Sequence, residues 1–227
     1  MKINFIYDQI TGKCIREITF KGSPENSLYL TFDDGPDADC TPKVLTLLKK
    51  YQAKATFFVI GKKAGQEHAL ISEILAQGHS LGDHTIDHDT SHYFKNVKDI
   101  AHWLARSEDL FKATLNVSPV GFRSPLGIKT PALNKVLNQK KTPLVLWNVR
   151  FYDTKYGLTV EAVDKKINEI QAGSIILLHD THKDQKQEIF LKALEHLLSE
   201  CQKRNFKFQH LTENLIQKSY LEKYETH

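Results

Sequence analysis

The chain has 227 residues, of which 31 are basic and 27 acidic, so its formal net charge is +4, and this length is enough for one sizeable domain with a full core. The lysines are scattered and form no long basic block, so nothing indicates a nucleic-acid partner. No run of about 18 apolar residues occurs, so the sequence predicts no transmembrane segment.

The N-terminal stretch, MKINFIYDQI, lacks the charged region, apolar core and cleavage site of a signal peptide. Cys14, Cys40 and Cys201 show no CxxC spacing, so neither a disulfide framework nor a cysteine-based zinc site is expected. Both features favour a cytoplasmic protein, or an exported one whose leader has been removed. Residues 3–7 and 15–20 alternate loosely around TGK, which predicts a short N-terminal β-hairpin.

Strands and helices are predicted to alternate along the rest of the chain. Apolar runs predict strands near 28–32, 55–60, 80–83, 119–122, 143–148, 174–178 and 206–211. Helical spacing occurs at 42–51, 68–77, 97–115, 131–139, 159–170 and 188–202. About seven such repeats predict an α/β fold with a parallel sheet, and the count suits a barrel better than a short open sheet.

No linker or internal repeat divides the chain, so we expect a single domain over 1–227. Within it, we expect the hairpin extension in 1–25, the barrel in 26–212 and a C-terminal helix in 213–227. In such barrels the functional groups sit where strands end and loops begin.

The first predicted strand ends in two adjacent carboxylates, Asp33 and Asp34, followed by Gly35 and Pro36. An Asp-Gly-Pro stretch favours a turn, which is one interpretation. The other is a cation site, because two neighbouring like charges are unfavourable unless something nearby needs them.

His84 and His88 stand four residues apart in GHSLGDHTIDH (78–88). In a helical turn this spacing would put both imidazoles on one face. Two histidines and a carboxylate are a common zinc set that leaves one position open for water. A simple surface pair of histidines is the alternative, since the chain has 11 of them.

His179 follows the continuous apolar run of SIILLHDTH (174–182), as expected at the end of a buried parallel strand. There it would face the same rim as the two aspartates and could donate a proton near neutral pH. A rim histidine bonded to backbone is the other interpretation.

Together these pieces resemble one family. TFDDG (31–35), HTIDH (84–88), the Arg-x-Pro element of FRSPLG (122–127) and LLH (177–179) occur in order at the ends of successive predicted strands. The pattern is similar to that of NodB-type polysaccharide deacetylases, carbohydrate esterase family 4, and FFVIGKKA (57–64) also fits. The resemblance runs from about residue 26 to 212 and implies the distorted (β/α)7 barrel of that family, with the N-terminal hairpin outside the match.

The resemblance implies that Asp33 is the catalytic base and that Asp34, His84 and His88 hold a divalent metal, with zinc the expected ion. A cation would offset the repulsion between the two aspartates, and strand alternation would aim one carboxylate at the metal and the other at its water.

Further roles follow from the same resemblance. His179 would be the catalytic acid, Asp153 would support it, and Arg123 would orient the base. The residues implied in substrate binding are Pro125, Leu126, Trp147, Arg150 and Leu177.

Two motifs depart from the family pattern. Leu126 replaces the tyrosine of Arg-Pro-Pro-Tyr, although its backbone N–H could still serve an oxyanion hole. In WNVRFYDT (147–154), Arg150 replaces an aspartate and Thr154 replaces a tryptophan that lines the acyl pocket. Arg150 either pairs with a loop carboxylate or recognises phosphate or carboxylate on the substrate, and the sequence leaves both open.

The expected function is therefore metal-dependent hydrolysis of an N-acyl group, by implication N-acetyl, on an amino sugar in a glycan or glycan precursor. The departures motivate one alternative, a catalytically impaired sugar-binding protein on the same scaffold. The missing signal peptide favours another, a deacylase of a small or lipid-linked anionic substrate. The expected partner is thus a carbohydrate, and the oligomeric state stays open.

Overall fold

The computed structural model describes Asp8 and residues 12–225. In this part of the chain six strands form one parallel sheet. They are β1 (Ser27–Asp33), β2 (Ala55–Val59), β3 (Ser80–Asp83), β4 (Val149–Arg150), β5 (Ile175–His179) and β6 (Lys207–Phe208).

Helices follow the strands much as the spacing predicts. The α-helices are α1 (Cys40–Lys50), α2 (Gly61–Ala64), α3 (His68–Ala76), α4 (Val97–Leu110), α5 (Pro131–Lys140), α6 (Asp153–Tyr156), α7 (Val160–Lys166), α8 (Asp184–Lys203) and α9 (Glu213–Tyr224). Side-chain caps begin several of them, as at Thr130, whose hydroxyl accepts a hydrogen bond from the Leu133 N–H while Pro131 fills the first helical position.

The sheet closes on itself into a distorted barrel. Its paired order is β3-β2-β1-β5-β4, with β6 paired to the start of β1. Phe122 completes the ring because it bridges Asp83 at the end of β3 and Leu144, whose segment continues into β4. The (β/α)7-type barrel is therefore confirmed, although the predicted strand 119–122 contributes only bridges and the predicted strand 143–148 acquires regular pairing only at β4.

The N-terminal segment attaches to this ring. Ile15 bridges Val145 in parallel, and Glu17 bridges Ser174 antiparallel. The first half of the predicted hairpin, residues 3–7, lies outside the described residues. The division into 1–25, 26–212 and 213–227 stays a prediction, while α9 lies within its last part.

Alternation along β1 separates the core from the site. Leu28, Leu30 and Phe32 pack in the largest apolar cluster, which includes residues of α1 and α8. Tyr29 packs in a different cluster on the opposite face. Because side chains alternate, Asp33 shares the face of Tyr29 and points away from the packed helices.

Two smaller expectations from the sequence can be compared with the structure. Cys14, Cys40 and Cys201 are buried free thiols. Over the described ranges, no helix has both the length and the apolar character needed to cross a membrane.

Candidate active site

The two adjacent aspartates diverge at the end of β1. Asp33 is the last residue of the strand and is 3% exposed, and it lies opposite His179 in the β1–β5 register. Asp34 has a φ of 71°, in the left-handed region. The backbone therefore turns between them, and each carboxylate has its own set of neighbours.

Arg123 forms a buried ion pair with Asp33. This arginine is fully buried, and its Nη1 donates to Asp33 Oδ1 and to Thr31 Oγ1, both at 2.7 Å. Its Nε and Nη2 donate to the carbonyl oxygens of Val145 and Leu146, both at 3.0 Å. Every nitrogen of the guanidinium thus has an acceptor, which fixes the direction in which the Asp33 carboxylate is held.

Asp34, His84 and His88 converge on one point. Asp34 Oδ1 lies 3.3 Å from His84 Nε2 and 3.2 Å from His88 Nε2, and the three possible ligand atoms all lie within 4.8 Å of one another. That oxygen is buried and accepts no hydrogen bond from any described residue. Burial alone would raise the pKa of Asp34, but the two imidazoles, when they carry protons, outweigh it and hold that pKa well below its usual range.

The second nitrogen of His84 sets its tautomer. Nδ1 lies 2.8 Å from the Arg123 carbonyl oxygen, which only accepts, so Nδ1 carries the hydrogen. A neutral ring then presents the lone pair of Nε2 to the Asp34 side, as metal-binding histidines do. A buried carboxylate oxygen without a donor, beside two imidazoles, fits a divalent cation.

The helical turn considered for HTIDH is wrong, because residues 84–88 form a loop. Thr85 has a φ of 70° and His88 a φ of 59°. Asp83 Oδ1 accepts a hydrogen bond from the Thr85 N–H, and Thr85 Oγ1 accepts one from the His88 N–H, both at 2.8 Å. These side-chain acceptors take the place of helical bonds, and they bring the two imidazoles to 5.1 Å between centroids.

His179 and Asp153 form a hydrogen-bonded pair beside Asp34. His179 Nδ1 lies 2.9 Å from Asp153 Oδ1, and its backbone N–H donates to Oδ2 at 2.8 Å. Its Nε2 lies 3.9 Å from Asp34 Oδ2, so it faces the cluster. Burial alone would lower the pKa of His179, but the hydrogen bond and charge of Asp153 outweigh it and raise the pKa to about 9. The ring is therefore protonated at neutral pH.

The residues expected to bind substrate are spread from core to surface. Pro125 is buried in a short 3-10 turn, while Leu126 beside it is 70% exposed with a φ of 57°. Trp147 and Arg150 are partly buried, with the guanidinium carbon 5.6 Å from the indole centroid. Leu177 is only 2% exposed, so most of its side chain is already packed.

Two further residues that contact the candidate site were not predicted from the sequence. His182 Nε2 lies 3.1 Å from Asp153 Oδ2, so a second imidazole shares the carboxylate that contacts His179. Lys63 Nζ donates to the backbone oxygen of Asp34 at 2.8 Å. The three-residue spacing of His179 and His182 was a signal in the sequence that could have indicated His182. The residues around Lys63 gave no such signal.

Comparison with known proteins agrees with this architecture. The family model described as polysaccharide deacetylase matches residues 21–171. The chain is 32% identical over 197 residues to a peptidoglycan-N-acetylglucosamine deacetylase of Bacillus cereus, covering 84% of this chain and 89% of that one. It is 31% identical over 202 residues to a chitooligosaccharide deacetylase of Bradyrhizobium, covering 83% and 90%.

A solved structure is similar as well. It is a family 4 acetyl xylan esterase from Clostridium thermocellum in complex with a cobalt ion, which superimposes with a TM-score of 0.73 at 27% identity, covering 84% of this chain and 90% of the other. The chain therefore belongs to the polysaccharide deacetylase family. It is a carbohydrate deacetylase, a hydrolase, and the family is metal-dependent.

Proposed function

We propose that this protein removes the N-acetyl group from an amino sugar in a glycan or glycan precursor, using a metal held by Asp34, His84 and His88. One observation carries this proposal. The three candidate metal ligands lie close to two further functional groups. One is a carboxylate oriented by Arg123, and the other is an imidazole supported by Asp153. The names of the two curated relatives point to N-acetylated amino sugars.

Zinc is the ion that we propose. Two imidazoles and one carboxylate are typical ligands of catalytic zinc, and the unpartnered oxygen of Asp34 fits such an ion. When bound there, the metal supplies Lewis-acid chemistry, lowering the pKa of water and polarising the acyl carbonyl.

Asp33 is the proposed general base. Its Oδ1 is occupied by Arg123, whereas Oδ2 lies 3.8 Å from His84 Nε2 and so faces the ligand cluster. An oxygen in that position is suited to take a proton from an attacking water. Arg123 is a positioning residue, because its contacts fix the carboxylate.

His179 is the proposed general acid. The leaving amine is a poor leaving group, so it needs a proton as the C–N bond breaks. His179 is protonated at neutral pH and presents Nε2 toward Asp34, which suits it to supply that proton. Asp153 orients the ring because it accepts one hydrogen bond from the ring Nδ1–H of His179 and a second from the backbone N–H of the same residue.

The rim is proposed to contact the sugar. The backbone N–H of Leu126 would contribute to the oxyanion hole, a role that needs no side chain. Pro125, Trp147 and Leu177 would shape the pocket for the acyl group, and the exposed Thr154 leaves this rim more open than a tryptophan would.

Metal analysis and amine release test the proposal together. Purified protein is expected to carry about one metal ion per chain and to release amine from N-acetylated amino-sugar oligomers. His84→Ala should lose most of the metal and the activity. His102→Ala is the matched control, because it removes an exposed histidine from α4. Full metal occupancy in His84→Ala would exclude the assigned ligand set.

A further inference from the structure

Arg150 is held against aromatic rings rather than against a carboxylate. Its guanidinium carbon lies 4.2 Å from the ring centroid of Tyr152 and 5.6 Å from that of Trp147. A cation–π contact needs no hydrogen bond, so the N–H groups of the guanidinium stay available to donate. The contacts therefore orient the group without occupying its donors.

The side-chain N–H groups of Arg150 have no acceptor among the residues that the structure describes. No aspartate or glutamate in 12–225, nor Asp8, forms an ion pair with it, so the loop-carboxylate interpretation finds no partner there. Its Nε is buried and makes no hydrogen bond. Arg123 differs, because each of its nitrogens reaches an acceptor at 2.7–3.0 Å. A buried N–H without an acceptor is unfavourable unless a ligand supplies one.

Arg150 also lies beside the candidate active site. On β4 it pairs in register with Leu177 of β5, two residues before His179. The ring of Trp147 lies 5.6 Å from the guanidinium carbon of Arg123, the same distance as from that of Arg150. One indole thus contacts both the arginine that positions the candidate base and the arginine whose donors are unused.

We propose that Arg150 binds an anionic group, carboxylate or phosphate, carried by the glycan substrate. Paired oxygens match the two parallel N–H groups of a guanidinium, and such charge-assisted bonds are the strong class. This inference rests on the proposed function for the kind of substrate, and it adds that neutral chitin-like oligomers are not the preferred ones.

Binding measurements test this inference without depending on turnover. The probes are three amino-sugar trisaccharides without acyl groups, identical except that one sugar carries a free hydroxyl, a phosphate monoester or a lactyl carboxylate. Isothermal titration calorimetry gives Kd for the metal-loaded wild type, Arg150→Gln and Arg150→Lys. Arg106→Gln is the matched control, since it removes the same charge from the exposed face of α4.

We expect the wild type to bind at least one anionic probe about 10- to 100-fold more tightly than the neutral one, as for hydrogen bonds to a charged group. Arg150→Gln should lose this preference while its Kd for the neutral probe stays unchanged, and Arg106→Gln should keep it. Arg150→Lys should retain more of a preference for phosphate than for carboxylate, because lysine acts as a point charge. The anion that gains more in the wild type identifies the substituent.

Equal binding of all three probes by the wild type would overturn the inference. A preference that persists in Arg150→Gln would overturn it as well. Failure of the proposed function looks different, because it would show as no amine release from N-acetylated forms of the same three trisaccharides, whatever the Kd values of the unacetylated probes are.

Discussion

Replacing Asp33 with Asn separates the roles of the two adjacent aspartates. The amide has the same shape, so its oxygen can still accept the hydrogen bond from Arg123 Nη1, but it cannot take a proton. Asp33 is not one of the three converging ligands, and its nearest oxygen lies 3.8 Å from His84 Nε2. We therefore expect the variant to keep its metal and lose its activity.

The loss of activity follows from the assigned role. A general base contributes roughly 10²- to 10⁴-fold to the rate. At about 1.36 kcal/mol per factor of ten, this is about 2.7 to 5.4 kcal/mol in the activation free energy. The loss should appear in kcat, because the amide leaves the walls of the pocket where they are.

The same substitution should also lower stability. Arg123 is fully buried, and Asp33 is the one carboxylate among its described hydrogen-bond partners. Breaking a buried ion pair costs about 3–5 kcal/mol, and the bonds that Arg123 keeps to Thr31, Val145 and Leu146 favour the lower end. A loss of about 3 kcal/mol corresponds to roughly 6–12 °C in Tm for a chain of this size.

The assay combines amine release from an N-acetylated oligosaccharide, metal content per chain and thermal unfolding. Asp34→Asn is the natural comparison, since it should lose metal as well as activity. Near-normal turnover in Asp33→Asn would refute the assignment of the base. Loss of metal in Asp33→Asn with retention in Asp34→Asn would mean that the two roles are reversed.

Three other substitutions probe the acid and the packing. Asp153→Asn should move the alkaline limb of kcat/KM to lower pH, because this carboxylate raises the pKa of His179 to about 9 and so keeps the acid protonated up to that pH; an unmoved limb would exclude the pairing. His182→Leu should move the limb the other way, because it removes a hydrogen bond that competes for Asp153, and a shift to lower pH would contradict this. Gly82→Ala should lower the free energy of unfolding by about 1–3 kcal/mol, measured by urea denaturation, because the added methyl overlaps the ring of Phe58; a change within about 0.5 kcal/mol would mean that the ring yields freely.

The strands that the sequence predicts best are those buried on both faces. Three predicted strands are largely apolar runs, and each matches an observed strand to within two residues at either end. They are 28–32, 55–60 and 174–178. The run at 119–122, PVGF, is shorter and contains proline and glycine, and it forms only bridges. Hydrogen bonding to neighbours distant in the chain decides that outcome, and a local pattern does not contain it.

The HTIDH stretch shows how a correct pairing can come from a wrong local structure. A spacing of four places His84 and His88 together in a helix, and the loop places them together too. What distinguishes the two is the hydrogen bonding of Asp83 and Thr85, whose side chains accept from backbone N–H groups of the loop. Aspartate and threonine are common in both settings, so the sequence cannot decide between them.

In the candidate site, the residues assigned to the chemistry are more deeply buried than Leu126 and Thr154, which depart from the family pattern. Asp33, assigned as the base, and Asp153, which supports the acid, are buried and hold partners on other segments, namely Arg123 and His179. A change at these positions would leave an unsatisfied charge, which explains why the motif departures do not fall on them.

The departures fall instead where contacts are few. Leu126 is 70% exposed and Thr154 is exposed, so other side chains there would cost the fold little. Arg150 fits neither class, because it is partly buried and yet its donors have no acceptor in the described chain. Its buried Nε is unfavourable for the protein alone and is satisfied when a ligand supplies an acceptor. This contrast supports the proposal that Arg150 serves the substrate rather than the fold.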